Sequence, residues 1–264
     1  NVQNGTIDLR TGELQKHDRF DFITKISPVE YDKDIAPNKV LDNFLDDIFE
    51  RNDDTKKYVQ KILGLGLTGK TSRLFPIFYG DGRNGKSTLI DIVTGVLGKN
   101  EYYQTCDPEV LLKQKNGGNR FATSSLFGAR FVAALETDEG RALDAGMIKQ
   151  MTGNDLIRAE QKFKNSFQFK PEFSIVLITN HRPHINDTSY GMRDRIICVP
   201  FNYKVPDEEV NENIIDDIFK EDNGKGALKF FVDGAKQALS GGMKNAPKNL
   251  LMDSDDYLNN EDQI

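Results

Sequence analysis

Apolar and polar positions follow three different patterns along the chain. Over residues 38–66 the apolar positions recur every three or four residues, with a polar break at Asn52–Thr55, which predicts two amphipathic helices. Before them, β-favouring residues flank a turn at Arg10–Gly12 and predict a small hairpin. Beyond Pro206 the helical spacing returns and then gives way to an acidic, polar tail. We expect this tail to be a solvated end or the start of a segment that continues beyond Ile264.

The middle of the chain contains short runs that are almost wholly apolar. Residues 74–79, 131–135 and 175–179 are such runs, and the stretch Ser87–Leu97 has a helical pattern. Strands that are apolar on both faces are typical of buried parallel sheets. Strands that alternate with helices predict an α/β fold with crossover helices.

These patterns divide the chain into three predicted regions. Residues 1–73 form an N-terminal hairpin and helical domain, and residues 74–204 form an α/β core with a parallel sheet. Residues 205–264 form a C-terminal helical segment that ends in the acidic tail. A cluster of glycines just ahead of Leu74 marks the first boundary as a flexible joint.

The segment GDGRNGKS fits the pattern G-x-x-x-x-G-K-[ST] and lies between a predicted strand and a predicted helix. Its glycines let backbone N–H groups converge on a polyphosphate, and the helix N-terminus adds positive potential. Lys86 would contact the β- and γ-phosphates, and the Ser87 hydroxyl would bind Mg²⁺. A chance glycine-rich turn would not explain this strand and helix context. We expect a bound nucleotide, contacted by Gly80, Asp81, Gly82, Arg83, Asn84, Gly85, Lys86, Ser87 and Thr88.

A phosphate-binding loop needs a carboxylate on a neighbouring strand to hold Mg²⁺ and orient water. Glu136 is the first acid after the apolar run 131–135, at the end of a strand where ligands bind in such sheets. We predict that Glu136 takes this role, with Asp138 or Glu139 as a second acid that polarises the attacking water. A solvated acidic turn would explain Asp138 and Glu139 equally well.

Two further polar positions follow the later apolar runs. Asn180 ends the run 175–179, from which it could reach the γ-phosphate or the attacking water, although a strand-end Asn is often only a turn former. Arg193 and Arg195 precede another apolar run and could stabilise the charge that develops in phosphoryl transfer. Pairing of either arginine with surface acids is the simpler alternative.

The charge of the chain is unevenly distributed. A formal net charge of −6, from 35 Lys and Arg against 41 Asp and Glu, argues by itself against a protein that coats polyanions. Residues 141–204, however, carry 10 basic and 6 acidic side chains, whereas residues 205–264 carry 6 and 14. No apolar run is long enough to span a membrane, and 2 cysteines are too few for a disulfide framework. We expect a cytoplasmic location without membrane contact.

The basic middle region contains a candidate surface for single-stranded DNA. Lys162, Phe163 and Lys164 place an aromatic ring between two positive charges, which suits stacked bases and phosphates. We predict a hairpin over residues 158–170 in which these three side chains contact DNA. A solvated hairpin whose phenylalanines face the core is the alternative, and we expect it to hold for Phe167 and Phe169.

The ordered segments GDGRNGKS, FVAALETDEG, IVLITNHRP and MRDRIICVPF resemble the helicase domain of phage, plasmid and poxvirus-type primase-helicases. These proteins are superfamily 3 helicases within the AAA+ ATPases. The segment NGTIDLRTGEL resembles the domain that precedes this helicase core. The resemblance covers nearly the whole chain. It implies a AAA+ P-loop ATPase core with a parallel sheet, a preceding hairpin and helical oligomerisation domain, and a following helical segment.

The resemblance also implies an activity and its residues. A homo-oligomeric ring, usually hexameric, would hydrolyse ATP with Mg²⁺ and translocate on single-stranded DNA to unwind forked duplexes. By position, Gly80, Gly85, Lys86 and Ser87 match the Walker A motif and Glu136 begins Walker B. Asn180 matches the sensor, and Arg195 matches the arginine finger, with Arg193 as its rival. Thr137 separates Glu136 from Asp138, where many members have adjacent acids, so the second acid stays open.

We therefore expect the DNA helicase domain of a replication protein from a phage or another mobile element. A primase or polymerase domain preceding Asn1 is compatible with this expectation. The first alternative is a P-loop NTPase or kinase that acts on a small substrate. The second is a nucleotide-binding assembly module without unwinding activity.

Overall fold

The computed structural model describes residues 1–113, 120–135 and 141–262. The helices in this part of the chain are α1 (Lys39–Ile48), α2 (Asp53–Leu65), α3 (Lys86–Leu97), α4 (Arg120–Ser124), α5 (Ala145–Met151), α6 (Tyr190–Arg193), α7 (Ile214–Asp222), α8 (Lys225–Gly241) and α9 (Lys248–Glu261). The strands are β1 (Thr6–Asp8), β2 (Glu13–Gln15), β3 (Phe75–Tyr79), β4 (Tyr103–Cys106), β5 (Phe131–Leu135), β6 (Ala142–Leu143), β7 (Ile157–Ala159), β8 (Phe167–Phe169), β9 (Ser174–Thr179), β10 (His184–Ile185) and β11 (Ile196–Pro200).

A five-stranded sheet in the order β11-β3-β9-β5-β4 forms the centre of the α/β core. The pairs β11–β3, β3–β9 and β5–β9 are parallel. All six residues of β9 are buried, and β3 and β5 are buried except at their last residue. This burial explains why the three strands read as continuous apolar runs and confirms the predicted α/β class with a parallel sheet.

The described residues form two compact units, each assembled from separate segments of the chain. The first, here the helical unit, comprises residues 1–68, 82–103 and 201–246. The second, here the sheet unit, comprises residues 69–81, 104–200 and 247–264, of which residues 263 and 264 are not described. These discontinuous units do not correspond to a linear division of the chain. They therefore do not test the boundaries at 73/74 and 204/205, which stay predictions.

The helical unit contains the hairpin β1–β2, which is antiparallel as predicted, and the helices α1, α2, α3, α7 and α8. Its tightest packing is between α2 and α8. A Cβ on Gly64 would lie 2.1 Å from the backbone N of Ala235, and one on Gly234 would lie 2.0 Å from the carbonyl O of Gln60. Glycine at both positions therefore lets the two helix backbones approach each other closely.

The acidic tail is not a solvated end, contrary to the prediction from its composition. In the sheet unit it forms α9, which packs against β11 and buries the side chains of Leu250, Tyr257 and Leu258. Ser254 Oγ also accepts a hydrogen bond of 2.8 Å from the backbone N of Cys198. The buried positions recur at helical spacing within a polar sequence, so they form a narrow apolar stripe that average composition conceals.

Among the described helices, none combines the length and the apolar character that a membrane span requires.

Candidate functional site

The phosphate-loop segment has a backbone that favours glycine at specific points. After β3, Gly80 has φ +145°, and Gly85, the residue before α3, has φ +82°. A Cβ on Gly85 would also lie 2.5 Å from Cγ2 of Ile48 in α1. Arg83 has φ +63°, a left-handed conformation that costs a non-glycine residue about 1–2 kcal/mol. Such cost is typical of functional loops that the surrounding structure holds in place.

Lys86 begins α3 with only 5% of its surface exposed. Its ammonium donates a hydrogen bond of 2.9 Å to Oδ1 of Asn84, which is itself buried. The Asn84 amide in turn donates to the carbonyl O of Phe201 at 2.9 Å. This chain of contacts fixes the loop and holds the ammonium at the N-terminal end of α3, where the helix dipole also favours an anion.

A second tie holds the same loop. The backbone N of Val205 donates to the carbonyl O of Arg83 at 3.2 Å. Ser87, in the first turn of α3, is exposed, and Thr88 is half-buried. The hydroxyl oxygen could bind Mg²⁺ while the neighbouring ammonium pairs with phosphate, so Ser87 stays the predicted metal contact.

A cavity of about 730 Å³ lies beside the loop within the helical unit. Arg83, Gly85 and Thr88 form its phosphate-loop side. Its apolar and aromatic lining includes Val40, Phe44, Ile48, Tyr203, Val205 and Ile214, and its polar lining includes Asn43, Asp47, Glu209, Asn211 and Glu212. This volume is within the usual range for small-molecule sites, and flat aromatic walls with polar groups suit a heterocyclic base.

The sheet unit brings two predicted positions to the same edge. Tyr79 of β3 and Thr179 of β9 are register partners, so Gly80 and Asn180 leave neighbouring strands side by side. Asn180 is exposed there. Leu135, the last residue of β5, pairs with Ile178, so β5 ends at this edge as well. Glu136, Asp138 and Glu139 themselves lie outside the described residues.

The two candidate arginines have different partners. Arg193 donates to the carbonyl O of Thr188 at 3.1 Å and to Oδ1 of Asn259 at 3.1 Å, and it forms a salt bridge with Asp262. Arg195 donates to Oγ1 of Thr152 at 3.1 Å and to the carbonyl O of Gly191. Arg193 is thus paired with an acid, whereas Thr152 and Gly191, which accept from Arg195, are neutral.

A hairpin is present where the sequence predicted one. Strands β7 and β8 are antiparallel, with Ala159 opposite Phe167. Phe167 and Phe169 pack edge-on against Phe127 at ring distances of 5.6 and 5.5 Å, which confirms their expected packing role. The aromatic side of the hairpin is therefore structural.

The tip of the hairpin differs from its base. Phe163 is 95% exposed and has φ +64°. The ammonium of Lys162 lies 5.3 Å from the centroid of its ring, and Lys164 is also exposed. The tip thus presents one aromatic face and two positive charges to solvent.

The cavity residues are not among the site residues that the sequence predicts. Phe44 is on α1, and Tyr203 follows β11, so both are distant in sequence from the loop they adjoin. No local pattern links them to Gly85. The sequence signal for Tyr203 is the end of the apolar run at 196–200, because the chain that leaves a parallel strand at this edge could return to the phosphate loop.

Two family models match the chain. The model described as "Family of unknown function (DUF5906)" matches residues 78–195, and "D5 N terminal like" matches residues 1–50.

Several viral proteins are similar in sequence. "Putative helicase L207/L206" of Acanthamoeba polyphaga mimivirus is 30% identical over 206 residues, which cover 75% of this chain and 21% of that protein. "Putative helicase 121R" of Invertebrate iridescent virus 3 is 26% identical over 220 residues, covering 76% and 22% respectively. The chain spans about a fifth of the length of these relatives.

The fold matches a solved structure. The A-form apo structure of the NrS-1 C-terminal region superposes with a TM-score of 0.59 at 14% identity, over 86% of this chain and 54% of that one. A second apo structure of the same region gives a TM-score of 0.56 at 13% identity. The match supports a shared fold. The sequence matches to viral proteins named as putative helicases and to the D5 N-terminal model support the resemblance to D5-like primase-helicases.

Proposed function

We propose that this chain is the ATP-dependent DNA helicase module of a viral or mobile-element replication protein, and that it works on single-stranded DNA as a homo-oligomeric ring. The observation that carries the proposal is the buried Lys86 ammonium, held by Asn84 at the N-terminus of α3, in a loop whose residues Arg83 and Gly85 line a cavity of about 730 Å³. The similar viral proteins, which are named as putative helicases, support the same proposal.

In this proposal the nucleotide is ATP. Its phosphates lie against the backbone of residues 80–87, with Lys86 on the β- and γ-phosphates. The base occupies the cavity between Phe44 and Tyr203. Ser87 and Glu136 hold Mg²⁺, which neutralises phosphate charge when bound. Asp138 or Glu139 is the second acid.

Catalysis in the proposal uses the edge of the sheet. Asn180 orients the attacking water against the γ-phosphate, because it leaves β9 beside the strand that leads into the loop. Arg195 reaches the nucleotide of the neighbouring subunit as the finger. We choose it over Arg193 because releasing a guanidinium from neutral partners costs less than releasing it from the carboxylate of Asp262.

The hairpin tip is the proposed DNA contact. Phe163 stacks on a base while Lys162 and Lys164 neutralise phosphates, a combination that binds single strands with little sequence preference. The whole-chain charge of −6 does not oppose this, because binding needs positive charge only on the contacting surface.

A subunit-mixing experiment tests the proposal. Lys86→Ala has no active nucleotide site but keeps its finger, and Arg195→Ala has the reverse defect. Each alone should hydrolyse ATP poorly, and an equimolar mixture should exceed both because some interfaces then contain one intact site and one intact finger. Arg193→Ala is the matched control. It keeps both the nucleotide site and the proposed finger, so it should hydrolyse ATP by itself and should not show the defect of Arg195→Ala.

The readouts are phosphate release, unwinding of a forked duplex and native mass spectrometry. A mixture that is no more active than its parts, together with a monomeric mass, would refute the ring with a finger acting between subunits. Hydrolysis by a monomer that DNA leaves unchanged would favour a P-loop enzyme acting on a small substrate.

A further inference from the structure

Helix α9 contacts the segment that connects the proposed sensor to the proposed finger. In the sheet unit, Tyr257 donates to the carbonyl O of Pro183, and Glu261 accepts from the backbone N of Ile185 at 2.9 Å. Farther along, Asp262 accepts from Thr188 and from Arg193. The acidic helix therefore binds the segment at successive points along its length.

The contact nearest to Asn180 is a three-residue cluster. The hydroxyl of Tyr79 lies 2.8 and 2.7 Å from the two carboxylate oxygens of Asp253. Arg182 donates both to Tyr79 Oη and to Asp253 Oδ1. The guanidinium carbon of Arg182 also lies 4.2 Å from the centroid of the Tyr79 ring. Each member thus contacts the other two.

The positions of these residues in sequence give the cluster its significance. Tyr79 is the last residue of β3 and directly precedes Gly80, which opens the phosphate loop. Arg182 follows Asn180 by two residues. Since Tyr79 and Thr179 are register partners, the cluster links the two chain segments at the point where they leave the sheet. Burial raises the pKa of the Tyr79 hydroxyl well above its usual range, so it remains a donor to the carboxylate.

We propose that Asp253 is a positioning residue: through Tyr79 and Arg182 it fixes the spacing between the start of the phosphate loop and Asn180. This inference rests on the proposed ATPase function, because the spacing matters where Asn180 must orient water. Asp253 does not itself touch the nucleotide. Its loss should therefore slow the chemical step while ATP binding, which depends on residues 80–88, is retained.

The test compares three variants of the whole chain. Asp253→Asn keeps the size of the side chain but removes its charge, and Tyr79→Phe removes the hydroxyl while keeping the ring beneath Arg182. Asp255→Asn is the matched control, since Asp255 is an exposed acid two residues away on the same helix. For each variant, kcat and KM for ATP hydrolysis are measured well below Tm, together with hydrogen exchange of the amides in residues 180–185.

We expect Asp253→Asn to lower kcat by about 10- to 100-fold, the scale of a small misplacement of a catalytic group, with KM changed less than about twofold. Tyr79→Phe should lower kcat by a smaller factor, and Asp255→Asn should match wild type. Amides of residues 180–185 should exchange faster in Asp253→Asn and Tyr79→Phe. If Asp253→Asn does not fold, the kcat and the amide exchange of Tyr79→Phe test the inference instead.

Unchanged kcat and unchanged exchange in a folded variant would overturn the inference. So would a lower Tm with wild-type kcat, because that result assigns the cluster to stability alone. Absence of ATP hydrolysis in the wild type would instead refute the proposed function, and the exchange comparison would still show whether Asp253 holds the segment.

Discussion

Lys86 and Lys162 are lysines in opposite environments. Lys86 is buried at the start of α3, and its ammonium is held by Asn84, which is tied to the carbonyl of Phe201. Lys162 is exposed on a hairpin tip, beside a phenylalanine ring that is almost wholly in solvent. A fixed ammonium suits a small anion bound in one geometry, whereas an exposed one suits a polymer that must slide past. The two regions match the two substrates of the proposed function.

Removing the fixed lysine should have the largest effect. In Lys86→Ala, the transition state loses a preorganised charge, and we expect ATP hydrolysis to fall by about 100-fold or more. Phosphate release at saturating ATP measures this. Lys162→Ala should keep basal hydrolysis and lose only its stimulation by DNA. Similar losses of basal hydrolysis in both variants would abolish the distinction between the two lysines.

The aromatic ring at the hairpin tip should have the next largest effect. Phe163→Ala should weaken binding of single-stranded DNA by about 1–3 kcal/mol, the value of one stacked base. Fluorescence anisotropy with a labelled oligonucleotide measures the change.

Phe22→Ala is a close control for this variant. Phe22 is 82% exposed with φ +52°, so it shares the solvent exposure and left-handed backbone of Phe163 outside the hairpin. Its replacement should leave the DNA affinity unchanged. Equal weakening by both variants would attribute binding to general aromatic exposure instead of to the hairpin.

The smallest effect concerns Lys149, whose exposure to solvent is intermediate between that of Lys86 and that of Lys162. It is half-exposed and paired with Asp187 at 2.6 Å. The hydrogen bond from Lys149 lowers the pKa of Asp187 from 3.8 to about 2. The pair therefore stabilises the fold above about pH 4 and stops doing so as the pH falls through about 2.

Replacing Lys149 with Met should lower the free energy of unfolding by less than about 1 kcal/mol at pH 6, because solvent screens the pair. Urea unfolding measures the difference between wild type and variant at pH 6 and at pH 3, where it should be smaller. A difference that stays constant across this range would show that packing of the lysine stem, not its charge, is responsible.

Much of the fold was predictable because its signals are local. The runs that became β3, β5 and β9 are apolar on both faces, and the phosphate loop has its motif between a strand and a helix. The hairpin turn at Arg10–Gly12 was predictable for the same reason.

The remaining features depend on contacts between residues distant in sequence. Phe44 and Tyr203 face one cavity only because α1 and the chain after β11 approach the same loop. The composition of α9 predicts a solvated tail, because its buried positions are few among many polar ones. Asp253 gained significance only when the fold placed it against Tyr79 and Arg182.

The most direct test of the central claim is phosphate release from ATP by size-resolved oligomers, with and without single-stranded DNA. The account predicts hydrolysis in the ring fraction, stimulated by DNA in wild type and unstimulated in a variant that combines Lys162→Ala with Lys164→Ala, at equal basal rates. Hydrolysis confined to monomers, or DNA stimulation and DNA affinity that persist unchanged in the double variant, would contradict it.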